Sequence, residues 1–70
     1  MERQEVTSTN LKSVGYDPSL QMLEIEFQDG SVYRYFGVPE EEHRGLLEAE
    51  SKGRYFIYNI RDRYRYEKVG

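Results

Sequence analysis

The sequence contains no cysteine and no tryptophan, one histidine and two prolines. Without cysteine there can be neither a disulfide framework nor a thiolate metal site. That usage suits a reducing compartment. One histidine, His43, leaves only carboxylates as further metal ligands, so no transition-metal site and no cofactor is expected. Neither GxxxxGK nor GxGxxG, the glycine-rich cradles for phosphate, occurs. No GxSxG elbow presents a nucleophilic serine to His43. No stretch is long and apolar enough to span a membrane. The opening MERQEVTSTN has no apolar centre of a secretory signal. These absences lead to the expectation of a cytoplasmic protein that is not an enzyme and has no membrane partner.

What remains is a short chain rich in tyrosine. Seventy residues suffice for one domain, and a chain of that size buries only about 60% of its unfolded surface. Its large apolar side chains are therefore needed inside. Seven tyrosines against three phenylalanines supply apolar bodies whose hydroxyls can stay wet. The net charge of -3 argues weakly against tight binding to phosphate. Its distribution is uneven: residues 1–53 carry a net -6 and residues 54–70 a net +3.

Residues 1–10 show no apolar periodicity and read as a flexible N-terminal arm, leaving 11–70 as the single domain. LKSVGYD (11–17) alternates weakly and ends at the turn signal Asp17-Pro18-Ser19, which predicts a first strand. LQMLEIEFQ (20–28) alternates cleanly, with Leu23, Ile25 and Phe27 on one face and Glu24, Glu26 and Gln28 on the other. Asp29-Gly30 turns the chain into SVYRYFG (31–37). A two-residue loop would put Arg34 on the apolar face. A three-residue loop with Gly30 in the left-handed bulge position pairs Phe27 with Ser31, Ile25 with Tyr33 and Leu23 with Tyr35. It also sets Glu24 against Arg34 on the outer face, an opposite-charge pair. Since a one-residue slip flips every side chain, only this register satisfies both faces.

Pro39 suits a helix start. Glu40, Glu41 and Glu42 then lie at the positive end of the helix dipole, which explains them better than a cation site does. His43, Leu46, Leu47 and Glu50 follow at helical spacing, with Gly45 as a weak spot. Ser51-Lys52-Gly53 is read as the stop, with Gly53 a left-handed cap. Residues 54–61 look like a second, short helix, and RYRYEKV (63–69) a last strand at a sheet edge. The expected fold class is α+β: a small antiparallel sheet in the order β-β-β-α-(short α)-β, helices packed on one face.

The run RYFIYNIRDRYRY (54–66) is the one sharp functional signal. Single-stranded nucleic acids are held by aromatic rings that stack bases and by basic groups that follow phosphates. The segment supplies both. The candidate contacts are Arg54, Tyr58, Arg61, Arg63 and Arg65. Read at helix and strand period, Phe56, Ile60, Tyr64 and Tyr66 are better explained as core, with the arginines outside. Tyr33 and Tyr35 admit two readings, as core or as an exposed stacking pair. The expected function is thus a small binding module for RNA or another single-stranded nucleic acid. The alternative is a protein–protein interaction module using a sheet edge or a tyrosine patch.

Taken in order, SVGYD (13–17), LEIEF (23–27) with Gly30, YRY (33–35), VP (38–39), AESKG and YF (49–56), and IRDRYRY (60–66) resemble the KTSC domain. That family is named for its occurrence at the C-terminus of some lysyl-tRNA synthetases and also exists as stand-alone small bacterial proteins. The resemblance spans about residues 8–69 and implies a compact α+β domain for which RNA binding has been suggested by association. Tyr33 and Tyr35 correspond to the family's YxY motif. Two positions depart from the pattern. Ile57 follows the YF pair where asparagine is usual, with Asn59 two residues later. His43 stands where an aromatic or aliphatic residue is usual.

Overall fold

The computed structural model describes residues 1–70. Five strands and two helices follow in the order β1 (Arg3–Glu5), β2 (Leu11–Asp17), β3 (Met22–Phe27), β4 (Val32–Phe36), α1 (Glu40–Glu48), α2 (Lys52–Asn59) and β5 (Arg65–Lys68). The strands form one antiparallel sheet in chain order, β1-β2-β3-β4-β5. This is the expected α+β class with one strand added at the N-terminal edge.

The β3–β4 hairpin adopts the register that alternation on both faces demands. Leu23 faces Tyr35, Ile25 faces Tyr33, and Glu24 faces Arg34. The Phe27 amide donates to the Ser31 carbonyl at 2.8 Å, and Gly30 takes a φ of 92°, open to glycine without strain. Asp29 accepts from the Ser31 amide and hydroxyl and so fixes the turn.

The reading of residues 1–10 as a flexible arm is corrected over Arg3–Glu5. These residues pair with Ser13–Gly15 of β2. All three are exposed, so no apolar signal marks the strand. Arg3 is its anchor: Nη1 donates to Glu24 Oε2 at 2.6 Å. Gly15 permits the approach, because a Cβ there would come within 2.9 Å of the Arg3 Cγ.

The helical region is corrected as well. Gly53 is not a left-handed cap; it lies buried in the first turn of α2. Ser51 is the N-cap of α2, and its hydroxyl accepts from the Arg54 amide at 3.3 Å. Helix α1 ends earlier, with the Ala49 amide bonded to the Leu46 carbonyl. Gly45 earns its place in α1 through packing, since a Cβ would collide with the Tyr55 hydroxyl from α2. Both helices cover the sheet face that carries Leu11, Val14, Leu23, Ile25 and Tyr35, and Leu46, Phe56 and Ile60 complete the core.

Candidate functional site

Alternation places Tyr33 and Tyr35 on the helix-covered face of β4, and β5 sets Tyr66 opposite Tyr35. Phe27 arrives from β3 and Phe56 from α2. The five rings form a continuous cluster. Tyr33 lies 5.9 Å and Tyr35 5.7 Å from Tyr66, centroid to centroid. Phe56 stands edge-on to Phe27 at 5.3 Å and to Tyr35 at 5.5 Å. These are the offset and edge-to-face spacings that aromatic pairs prefer.

The helices do not close over the cluster. A groove of about 380 Å³ remains, floored by these rings, with Arg61, Asp62 and Asp29 at its rim. It continues past Phe27 and Phe56 into a second hollow of about 400 Å³ beside Asn10 and Ile57. Tyr35 is buried on the floor and Tyr33 is half-buried. Tyr66 is 55% exposed, which corrects its reading as core. Its ring packs on its neighbours, but the edge strand leaves one side open. Burial, together with Tyr33 and Tyr66 beside it, raises the pKa of the Tyr35 phenol, which is neutral at physiological pH. Arg61 is half-exposed, and its one ion pair is to Asp62 at 3.6 Å. Such a groove can stack a flat ring, and its rim sets one cation, Arg61, among two carboxylates, Asp29 and Asp62.

The KTSC domain family model matches residues 7–64. The chain belongs to the KTSC domain family. An uncharacterised protein of Stutzerimonas stutzeri is 46% identical over 70 residues, 99% of each chain. A lysine–tRNA ligase of Nostoc is 41% identical over 59 residues, covering 84% of this chain and 10% of the ligase. The crystal structure of a KTSC domain protein from Yersinia pestis superposes with a TM-score of 0.96 at 43% identity, covering 99% of this chain and 97% of that one. No helix of the chain is long and apolar enough to cross a membrane.

Within this KTSC domain the residues singled out from the sequence separate. Arg61, Tyr33 and Tyr35 meet at the groove. Arg54 and the 76% exposed Tyr58 lie one turn apart on α2 and do not line it. Arg63 sits in another hollow, beside Glu42, Tyr55 and Tyr64. There the Glu42 carboxylate accepts from the Tyr55 hydroxyl at 2.5 Å and the Tyr64 hydroxyl at 2.9 Å. Burial and that bond push the Tyr55 phenol up to about 12. Arg65 lies on the opposite face of the sheet, its guanidinium 5.3 Å above the Phe36 ring. Sequence reasoning missed Phe27 and Asp29, since nothing in a linear pattern shows that a hairpin turn and a helix end meet at one groove.

The two departures from the KTSC pattern have different settings. Ile57 lines the second hollow, while the Asn59 side chain donates to the Tyr55 carbonyl inside its own helix. His43 stacks on Tyr16 at 4.5 Å and 16°, and the Tyr16 hydroxyl donates to the Val38 carbonyl. Burial lowers the pKa of His43. The shallow groove next to it holds one carboxylate, Glu2, and no serine. No three metal-binding side chains converge anywhere.

Proposed function

We propose that this KTSC domain is a non-catalytic, cytoplasmic binding module whose aromatic groove takes unpaired bases of RNA or another single-stranded nucleic acid. The observation that carries this reading is the tyrosine triplet, Tyr33, Tyr35 and Tyr66, contiguous and partly open, with Arg61 at its rim. Stacking on aromatic rings tolerates any base, because every base has a π-face. The lysine–tRNA ligases among the relatives support RNA as the chemistry. Arg54 and Tyr58 are secondary contacts in this reading, and Arg63 and Arg65 lie too far round the molecule to join them. A single arginine at the groove implies shallow salt dependence, with a slope of roughly -0.7 per phosphate contacted.

The test is titration of a labelled single-stranded RNA at several salt concentrations. Tyr66→Ala, at an open position, is expected to remove about 1–3 kcal/mol of binding. Arg61→Glu is expected to flatten the salt dependence. No binding by the native chain, or unchanged binding by Tyr66→Ala, would overturn the reading.

A second reading, a protein partner at the sheet edge, is favoured by β5, which is exposed along its length and paired on one side only.

A further inference from the structure

The outer edge of β5 has a self-complementary order of side chains. The β4–β5 ladder ends in a bulge, where the Val69 and Gly70 amides both donate to the Val32 carbonyl. Val69 and Gly70 thus stay bonded to Val32 on the β4 side of the strand. In an antiparallel ladder, hydrogen-bonded pairs alternate with non-bonded ones. Counting from Val32, Glu67 and Arg65 point their backbone groups at β4, at Arg34 and Phe36. Tyr66 and Lys68 then point theirs outward, unpaired.

We propose that this edge pairs with the same edge of a second copy of the chain, antiparallel and centred on Tyr66. In that register Tyr66 exchanges two backbone hydrogen bonds with the second copy's Tyr66. Arg65 stands opposite the second copy's Glu67, and Glu67 opposite its Arg65. These flanking pairs are the non-bonded kind, in which side chains approach most closely. A shift by one residue would set Tyr66 against Glu67 and Arg65 against Lys68, a like-charge pair. Centring on Glu67 would set that carboxylate against itself. Only the Tyr66 register is complementary.

The rest of the sheet supports the same choice. The helix-free face carries a row of alternating charge across the strands: Arg3, then Glu24 past Gly15, then Arg34, then Glu67. Arg3 and Arg34 both hold Glu24, at 2.6 and 2.8 Å. Glu67 ends the row with no further cation. The second copy's Arg65 supplies the next one, so the alternation continues across the two-fold axis. On the other face the pairing sets the two Tyr66 rings side by side and joins the two aromatic grooves. The inference does not rest on the nucleic-acid reading, because Arg65 and Glu67 lie on the face away from the groove.

Sedimentation velocity of the full chain over a range of concentrations tests the proposal. The native chain is expected to pass from monomer to dimer as concentration rises. Arg65→Glu and Glu67→Arg are each expected to remain monomeric where the native chain is dimeric, since each sets like charges opposite one another twice. An equimolar mixture of the two variants is expected to form a heterodimer, because each then faces its complement. The double variant R65E/E67R should dimerise with itself. A native chain monomeric at every concentration would overturn the proposal. So would single variants that dimerise like the native chain, or a mixture that fails to recover the dimer.

Discussion

Glu24 and Ile25 are neighbours on β3, and both are withdrawn from water, at 5% and 0% exposure. They reach that state on opposite faces by different physics. Ile25 is covered by helices and rings, and its burial is driven by the removal of apolar area from water. Glu24 lies on the face with no helix. Two arginine side chains cover it, Arg3 from β1 and Arg34 from β4, and both of its oxygens accept from them. One sheet thus has an apolar side that needs a second layer and a polar side that makes its own cover from long side chains. The difference teaches where function can sit. The covered side is incompletely closed at its β5 end, and there the aromatic groove appears. The charged side is closed over its middle, and its row of paired charges ends at the β5 edge, at Glu67.

The comparison breaks most severely at Ile25. Ile25→Ala removes a fully enclosed side chain at the centre of the core, which typically costs about 2–5 kcal/mol. That is a large share of the roughly 5–15 kcal/mol that holds a small domain folded. Urea unfolding should show the midpoint falling steeply.

Glu24→Gln is expected to cost less, about 1.5–3 kcal/mol, the range for hydrogen bonds to charged groups. The arginines it releases are partly exposed and can turn to water. Its signature is its pH dependence. Burial alone would raise the Glu24 pKa, but the hydrogen bond from Arg34 and the charges of Arg3 and Arg34 outweigh it and hold the carboxyl below the usual glutamate range. A carboxyl depressed in the folded state adds stability that is fully present above its unfolded pKa, near 4.3. That stability is lost as pH falls through the lower, folded value. The gap between native chain and Glu24→Gln should therefore be full at neutral pH and narrow below about pH 4. A gap that stays constant from neutral to acid would mean that ionisation of Glu24 contributes nothing.

Much of this two-sidedness was legible in the sequence. The β3–β4 register followed because both faces constrain it at once: Leu23, Ile25, Tyr33 and Tyr35 must go in together, and Glu24 must meet Arg34. Strand β1 was not legible, because Arg3, Gln4 and Glu5 carry no apolar periodicity. What holds them is the backbone ladder to β2 and an ion pair to a residue 21 positions away. Ser51 reads in the sequence as the end of one helix and is the start of the next, since serine and glycine serve both purposes and only the backbone decides. At the candidate site, the alternation assigned Tyr66 to the correct face but not to its exposure. Period two reports a side of the sheet, whereas openness depends on β5 being the edge and on where the helices stop. The arginines scattered for the same reason. A helix, a turn and a strand in succession send Arg54, Arg63 and Arg65 in three directions, though they stand within twelve residues of each other.

The smallest expected effect lies at Tyr58 and sharpens the comparison between tyrosines. Tyr35 and Tyr58 are the same residue type at 3% and 76% exposure. Tyr58 touches none of the aromatic cluster and lines neither hollow of the groove. Tyr58→Ala should therefore change stability by no more than about 0.5 kcal/mol, as substitutions at open surface positions do. If the groove is the contact, RNA affinity should fall far less than with Tyr66→Ala, and titration of the two variants side by side reads the ratio. Equal losses would shift the interface from the groove to the outer side of α2, where Arg54 stands one turn away. Losses confined to Tyr66→Ala would leave Tyr58 as a surface residue and locate recognition at the open end of the covered face.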